Sequence, residues 1–508
     1  MGHKYIKAIL FFLLVVMSSV HGVFQKFYSY GSARAHSRIV LETSNNGFVI
    51  AGYEWTTISS PHSIFLMRID ALGDTMWRRT YGDSLTSCAA MVITSDSGYL
   101  IIGDGNSDIH LIKTDSLGSI LWTKNYGGPI NESSYDVKQC DDGGYIILGT
   151  TLGIPQIYMN TLLIRTDSIG NILWSKIYGS SHIVEGFSVI QTDDGGFLIG
   201  GLAHRVDTDR DILIIKTNAI GDTLWTRVYG GLGNDDAHSI FKSSDGNYVV
   251  GGACASFSNA ESFLLMKIDT IGNVIWAKVY LSGQFDHAYS AIPTFDFGIA
   301  IVGRSHFKSL IIKTQSNGDT MWSQLYEYPF LSSFDNISEC SDRGFVITGL
   351  ASPYAYVLKT DRYGDSGCSL GGASITVLSP TMPVNPHTFY ISNPAIVSTS
   401  TSISVSNSNS VGTDICLLSN FSDYKLKENL FLLSPNPVRN ELKVKLSSNF
   451  KNVIIQIFNL RGHKIYEKAF ENFETGSIST IEFPSGIYFC RITDGIKNGI
   501  EKIVVMHE

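Results

Sequence analysis

Asp167-Ser168-Ile169-Gly170-Asn171-Ile172-Leu173-Trp174 is one copy of a phrase that returns along most of the chain. Leu163-Ile164-Arg165-Thr166 precedes it and Ser175-Lys176-Ile177-Tyr178 follows it, so the phrase reads as a turn between two short strands. The Asp opens the turn by accepting nearby backbone N–H groups, and the Gly supplies a positive φ. Further copies run Asp70…Gly73…Trp77, Asp115…Gly118…Trp122, Asn218…Gly221…Trp225, Asp269…Gly272…Trp276 and Gln315…Gly318…Trp322. A last copy, Asp361-Arg362-Tyr363-Gly364, stops before its Trp.

The rest of the unit is equally regular. Ser188-Val189-Ile190-Gln191-Thr192 reads as a strand, Asp193-Asp194-Gly195-Gly196 as a turn, and Phe197-Leu198-Ile199-Gly200-Gly201 as a second strand. Leu213 to Thr217 and Thr223 to Tyr229 are the third and fourth strands. Four antiparallel strands in roughly 45–50 residues make a propeller blade. The runs lack the 3.6-residue periodicity of a helical solenoid. The Trp side chains (Trp77, Trp122, Trp174, Trp225, Trp276 and Trp322) are expected to pack between blades. If each buried about 150–250 Å², it would contribute some 4–6 kcal/mol gross at about 25 cal/mol/Å². On that footing Trp174→Ala would cost about 3–5 kcal/mol.

The ends of the array predict how it closes. Phe24-Gln25-Lys26-Phe27-Tyr28 repeats the fourth-strand pattern Trp174-Ser175-Lys176-Ile177-Tyr178, with Phe for Trp. The last repeat lacks its own fourth strand. The N-terminal strand is therefore expected to complete it, giving seven blades over residues 23–366.

Composition agrees with a large all-β chain. Of 508 residues, 44% are hydrophobic, 17% are charged and 48 are Gly. The net charge of −8 leaves no basic field for nucleic acid. Residues 1–22 combine a weakly basic start, a short apolar run from Ile9 to Met17 and a small-residue exit at Gly22, as a secretory signal peptide does. The run is too short for a membrane anchor, and no other segment could span a bilayer. In an exported chain disulfides are permitted. Of the seven Cys, Cys368 and Cys416 bracket the one segment without repeat character and form the candidate disulfide.

No catalytic, cofactor or metal constellation stands out. The sequence lacks Gly-x-Ser-x-Gly, His-Glu-x-x-His and a phosphate loop. Asp207-Thr208-Asp209-Arg210-Asp211 alternates carboxylates but lacks the Gly and distal Glu of a calcium loop. The channel-lining position reads Arg38, Ala89, Tyr135, Phe187, His238, Tyr289, Asp335 around the blades, a mixed ring. Both Gly-rich turns fall on one face, which is uniform. The opposite face carries the variable loops, where binding is usually built. Trp55, Tyr158 and Phe257 lie there and are the candidate ligand-contacting aromatics.

Residues 367–429 are rich in Ser and Thr, with strand-like alternation at Ser374 to Val377 and Thr401 to Ser406; a small hairpin or a stiff linker is expected. Residues 430–508 alternate as six or seven strands of a small Ig-like β-sandwich.

The turn phrase resembles the Asp-box of sialidase-type propellers and the Trp-docking repeat of quinoprotein dehydrogenases, whose motifs are structural. The whole unit resembles repeats of large secreted bacterial proteins. The tail resembles the type A C-terminal sorting domain of the type IX secretion system. Ser434-Pro435-Asn436-Pro437, Phe458-Asn459-Leu460-Arg461-Gly462, Gly486-Ile487-Tyr488 and Lys502-Ile503-Val504 carry that resemblance in order. It implies passage through the periplasm and recognition by the outer-membrane translocon of a Gram-negative cell, with release or display at the surface. The expected function is a secreted or surface propeller binding a glycan or protein. The alternatives are a glycan- or peptide-degrading hydrolase or lyase, and a structural surface component.

Overall fold

The computed structural model describes residues 22–505 except 30–32, 57–61, 83–84, 153–157, 205–208, 259, 284, 307, 328–331, 352, 368–371, 386–389, 393–396, 401–404, 408–410, 415–430, 435–437, 447–451, 460–463, 472–473, 485 and 494–497. Residues 1–21 of the expected signal peptide, Cys368 and Cys416 of the candidate disulfide, and Asp207 and Thr208 lie outside the described residues. Among the described residues the structure is all β, with strands in every element and no helix.

Seven sheets, each with four antiparallel blade strands, form the blades of a propeller. They span Arg34–Tyr81, Leu85–Gly127, Glu132–Gly179, Val184–Tyr229, Asp235–Leu281 and Asp286–Tyr326 for blades 1 to 6. Blade 7 takes three strands from Ser332–Lys359 and its fourth from Phe24–Ser29, which pairs antiparallel with Tyr354–Lys359. The ring closes through the N-terminal strand.

The hairpin phrase has a clear local cause. Asp167 Oδ1 accepts the backbone N–H groups of Ile169 at 3.0 Å and Asn171 at 2.8 Å, and Gly170 sits at φ 80°. In blade 6 the longer Gln315 opens the turn, and Asn317 Oδ1 accepts the Asp319 N–H instead.

Blade-to-blade contact centres on that same Gly. The Tyr178 hydroxyl donates to the Gly221 carbonyl at 2.6 Å, and a Cβ placed on Gly221 would lie 2.7 Å from the Trp174 ring. Tyr81, Tyr126, Tyr229, Tyr280 and Tyr326 donate likewise to Gly118, Gly170, Gly272, Gly318 and Gly364. At the closure Tyr28 donates to Gly73 at 2.7 Å, and Phe24 takes the Trp place against it. The Tyr side chains are fully buried, whereas the Trp side chains are half-buried. The sequence-based energy for Trp assumed full burial and is therefore too high.

A second sevenfold feature sits on the third strands. Lys216, buried, reaches Asp194 of the Asp-Gly-Gly turn at 2.8 Å and the Thr217 carbonyl at 2.8 Å. Lys113, Arg165, Lys267, Lys313 and Lys359 pair with Asp142 or its counterparts Asp96, Asp245, Asp296 and Asp342 in the same way. In blade 1 Arg68 reaches Asn45.

The connector is β-rich, but its strands pair with the blades rather than with one another. Thr376–Leu378, Val384–Asn385, Tyr390–Ser392, Val397–Ser400 and Val405–Asn407 lie antiparallel to the outer strands of blades 5, 4, 3, 2 and 1. Val411–Asp414 then pairs with the N-terminal strand in blade 7. At blade 6 the Ser323 hydroxyl exchanges bonds with the Ala373 backbone at 2.9 and 3.2 Å. The segment is a belt around the propeller, in place of the hairpin or stiff linker that its composition suggested. The first compact unit accordingly extends to Ile415.

The second unit holds two sheets. One contains Phe431–Ser434, Glu441–Leu446 and Thr475–Ser479; the other contains Lys464–Glu471, Asn452–Asn459, Gly486–Thr493 and Asn498–Val505. Leu442, Val444, Ile455, Ile457, Ile478, Cys490 and Ile503 fill the core. Glu441–Leu446 alternates exposed and buried positions, as a strand with one wet face must.

Two predictions follow from the blade contacts. Trp174→Ala should lower unfolding stability by about 2–3 kcal/mol, less than for a fully buried Trp, and Tyr178→Phe by about 1–2 kcal/mol through the orphaned Gly221 carbonyl. Urea denaturation measures both, and a loss below about 0.5 kcal/mol in each would remove the Gly-centred contact from the account. The second concerns acid. Burial opposes ionisation of Asp96 and Asp194, but bonds from Lys113 and Lys216, with Thr and backbone donors, bring both carboxyls down to about 2 from the ordinary 3.8. A lowered folded-state value stabilises above the unfolded value and is lost as pH falls through the folded one. The melting temperature should therefore fall between about pH 4 and 2, modestly, because both carboxylates are half exposed to solvent. The doubly substituted Asp96→Asn/Asp194→Asn protein should melt lower at neutral pH and respond less to acid; an unchanged acid response would assign it elsewhere.

Candidate functional site

The innermost strand of each blade carries a β-bulge. The register breaks between Ser37 and Ile39, Cys88 and Ala90, Ser134 and Asp136, Gly186 and Ser188, Ala237 and Ser239, Ala288 and Ser290, and Phe334 and Asn336. The skipped residues are Arg38, Ala89, Tyr135, Phe187, His238, Tyr289 and Asp335, the ring read from the sequence. A bulge re-aims its extra side chain. These side chains converge: Tyr135 and Phe187 lie 5.0 Å apart, Phe187 and His238 stack at 5.2 Å, and His238 and Tyr289 lie 6.1 Å apart.

Residues two positions earlier share that strand face. They include His36, Glu185, Asp236 and His287. Two polar groups result. At blades 7 and 1, His36 Nε2 meets the Asp335 carboxylate, His36 Nδ1 lies 3.1 Å from the Tyr53 hydroxyl, and Arg38 lies 3.5 Å from Asp335. Ser333 donates to Asp335 at 2.9 Å. Burial alone would push the Asp335 carboxyl up, but His36 and Arg38 outweigh it and hold it below the usual carboxylate range. Burial raises the Tyr53 hydroxyl against the Arg38 charge.

At blades 4 to 6, Asp236 lies 3.1 Å from His238 Nε2 and 3.0 Å from Arg210. His287 lies 3.2 Å from His238 and 3.1 Å from Glu261. Burial again raises the Asp236 carboxyl, and His238, His287 and Arg210 bring it below its ordinary value. Tyr289 feels charges from both groups, Asp335 and Arg38 on one side and Glu261 on the other.

The inner strands begin at the variable-loop end, so Asp236, His238, His287 and His36 stand near that mouth. Trp55 is half-buried, stacks with Tyr53 at 5.5 Å and meets His62 in a tilted contact at 5.4 Å. Tyr158 is exposed beside His182 at 6.1 Å. Phe257 packs against the core of blades 4 and 5, so it is less available than Tyr158. Arg210 and Asp211, from the alternating acidic loop, do not join a carboxylate cluster: Arg210 pairs with Asp236, and Asp211 is buried at the start of its strand.

Sequence reasoning found the bulge ring but missed Asp236, His287, His36, Tyr53, Glu261 and Arg210. The same two-residue step that defines a strand face would have found the first three.

In the C-terminal unit Tyr488 is buried, and its hydroxyl donates to the Pro484 carbonyl at 2.6 Å. Gly486 pairs with Val505, and Lys502 with Phe489, in the last hairpin. Pro435, Asn436, Pro437 and Gly462 lie outside the described residues. Among the described residues no helix is long and apolar enough to cross a membrane.

Comparison with known proteins adds the following. Residues 433–506 match the secretion system C-terminal sorting domain. No curated protein sequence matches the chain. Among solved structures, a crystal structure of puromycin hydrolase is 13% identical with a TM-score of 0.43, covering 67% of this chain and 54% of that one. A mutant of the same enzyme complexed with PGG is 12% identical at the same TM-score and coverage. This chain spans about half the length of that enzyme. Drosophila Plexin A in complex with Semaphorin 1b is 7% identical with a TM-score of 0.29, covering 67% of this chain and 87% of that one. The tail comparison agrees with the sandwich core and the ordered motifs: residues 433–506 are a type IX secretion C-terminal sorting domain, carried behind a seven-bladed propeller.

Proposed function

We propose that the chain is a type IX secretion cargo whose propeller binds a ligand, a glycan in the first instance, at the variable-loop mouth of its channel. The observation that carries this reading is the aromatic stack of Trp55, Tyr53 and His62, continuous through Tyr53 with the His36–Asp335–Arg38 group. An apolar ring face beside convergent donors and acceptors suits a sugar, which offers C–H faces and hydroxyl edges together. A protein ligand on the same loops is the next reading. A hydrolytic role has one observation in its favour, the His36 imidazole set between Asp335 and the Tyr53 hydroxyl.

The sorting domain implies recognition by the type IX translocon and export to the surface or the medium. The tail is then an address, and residues 23–415 hold the working part.

Two experiments test these statements. On a glycan array the mature chain should bind a defined subset, and Trp55→Ala should weaken that binding about tenfold, or about 1.4 kcal/mol. Binding untouched by Trp55→Ala, or no glycan binding at all, would overturn the stack as the contact; turnover of a glycan or peptide in the same assay would favour the hydrolytic reading. Deleting residues 430–508 should leave the protein in the periplasm when cell fractions are blotted. Normal surface display without those residues would show that sorting does not depend on the tail.

A further inference from the structure

We propose that Asp236, His238 and His287 form a binding site for a divalent transition-metal ion, with zinc the best-fitting representative. One ligand atom from each lies within 4.8 Å of the others. His238 Nε2 is 3.1 Å from Asp236 Oδ1 and 3.2 Å from His287 Nε2. A tetrahedral zinc ion with bonds of about 2.0–2.2 Å separates its ligand atoms by roughly 3.3 Å. The two measured spacings are close to that edge before any adjustment.

The contact behind His287 points the same way. His287 Nδ1 lies 3.1 Å from Glu261 Oε1, an arrangement in which Nδ1–H donates to the carboxylate and Nε2 is left as the ligand atom toward His238. A single proton shared between the two imidazoles would satisfy both Nε2 atoms. It would leave Asp236 Oδ1, on a side chain only 3% exposed, without a donor in hydrogen-bonding geometry. One cation satisfies all three atoms together. The outer contacts are also those of a metal site. Arg210 holds the other Asp236 oxygen at 3.0 Å, the Phe187 ring stacks on His238, and Tyr289 packs on His287 at 4.6 Å.

Two imidazoles and one carboxylate suit zinc and its neighbours in the transition series, and disfavour calcium, which takes more oxygen ligands. Three protein ligands also leave a position open. His238 is the most accessible of the three, 23% exposed, so the open position faces the channel rather than the blade interior. The inference stands apart from glycan binding, since it uses neither Trp55 nor Tyr53.

The test uses the mature chain without a polyhistidine tag, stripped with chelator and titrated with zinc chloride. Calorimetry and metal analysis should give one zinc per chain with a Kd below about 1 µM. Asp236→Asn and His287→Gln should each weaken binding about 100-fold or more, and Glu261→Gln about tenfold. Calcium should not compete. Circular dichroism of the stripped variants checks that they fold. If a variant does not, modification of wild-type His238 and His287 by diethyl pyrocarbonate decides instead, because bound zinc should protect both. Sub-stoichiometric uptake, equal binding by the folded variants, or no protection of these two His would each overturn the proposal.

Discussion

The propeller depends on one repeated contact, a fourth-strand Tyr and Trp closing on the turn Gly of the next blade. The Gly must lack a side chain for two reasons at once. Its φ is positive, and the space where a Cβ would stand is filled by the neighbour's Trp ring. The Tyr hydroxyl then uses the carbonyl that the turn leaves unpaired. Each blade thus completes the next, around the whole circle. The N-terminal strand makes the same contact with Phe24 and Tyr28 against Gly73, so the first strand of the chain and its last repeat are a single packing problem. At the closure Phe24, itself buried, fills the Trp place, and the fully enclosed partner, Tyr, is retained as Tyr28.

The uniformity of this contact frees the other end of the molecule. Seven turns that all place a Gly against the neighbouring blade bind the blades on one face, so the loops on the opposite face carry no closing duty. The bulges link the two ends. By skipping one residue in each inner strand, they turn one side chain per blade toward the axis while the ladders on either side remain intact. The channel therefore shows chemistry that the blades conceal. Charges do not repeat around it as the Trp does. They collect in two groups, one at the closure of blades 7 and 1 and one at blades 4 to 6, with aromatic rings between them.

The difference between what the sequence discloses and what it hides has a physical origin. The blade count and the closure were legible because they rest on local turn chemistry repeated at a fixed spacing. The sorting domain was legible because its motifs are contiguous and ordered. The site was legible only at the bulge positions. Asp236 and His287 face the same channel but come from different blades, and their meeting depends on a radial approach of strands that no local pattern encodes. Tyr178 and its counterparts were visible as strand residues. Their role as the buried anchors was not, because Trp is the larger and rarer side chain and drew the inference. The buried Lys216 and its counterparts were passed over for the opposite reason: a Lys in an apolar strand looks like an exposed position unless its Asp partner on the adjacent turn is known.

The belt was the least legible element, and the reason concerns edges. A closed propeller has no open blade, but each blade still ends in an outer strand whose backbone groups face away from the axis. Such an edge is a template for further pairing. In this protein the short strands between Thr376 and Asp414 occupy the outer edges of blades 5, 4, 3, 2, 1 and 7 in turn, running against the direction in which the blades are laid down. Pieces of two to four residues are too short to announce themselves as strands, since their pairing is dictated by the edge they meet. That also accounts for their composition. Ser, Thr and Val satisfy a ladder without adding a hydrophobic face of their own, and the low charge avoids burying unpaired ions along the rim. Because its last strand lies on Phe24–Ser29, the belt ends on the segment that closes the circle. The N-terminal strand is thereby held on both sides, by Tyr354–Lys359 within the blade and by Val411–Asp414 outside it, and the closure that the repeating Gly contact completes is secured by the last residues of the same unit.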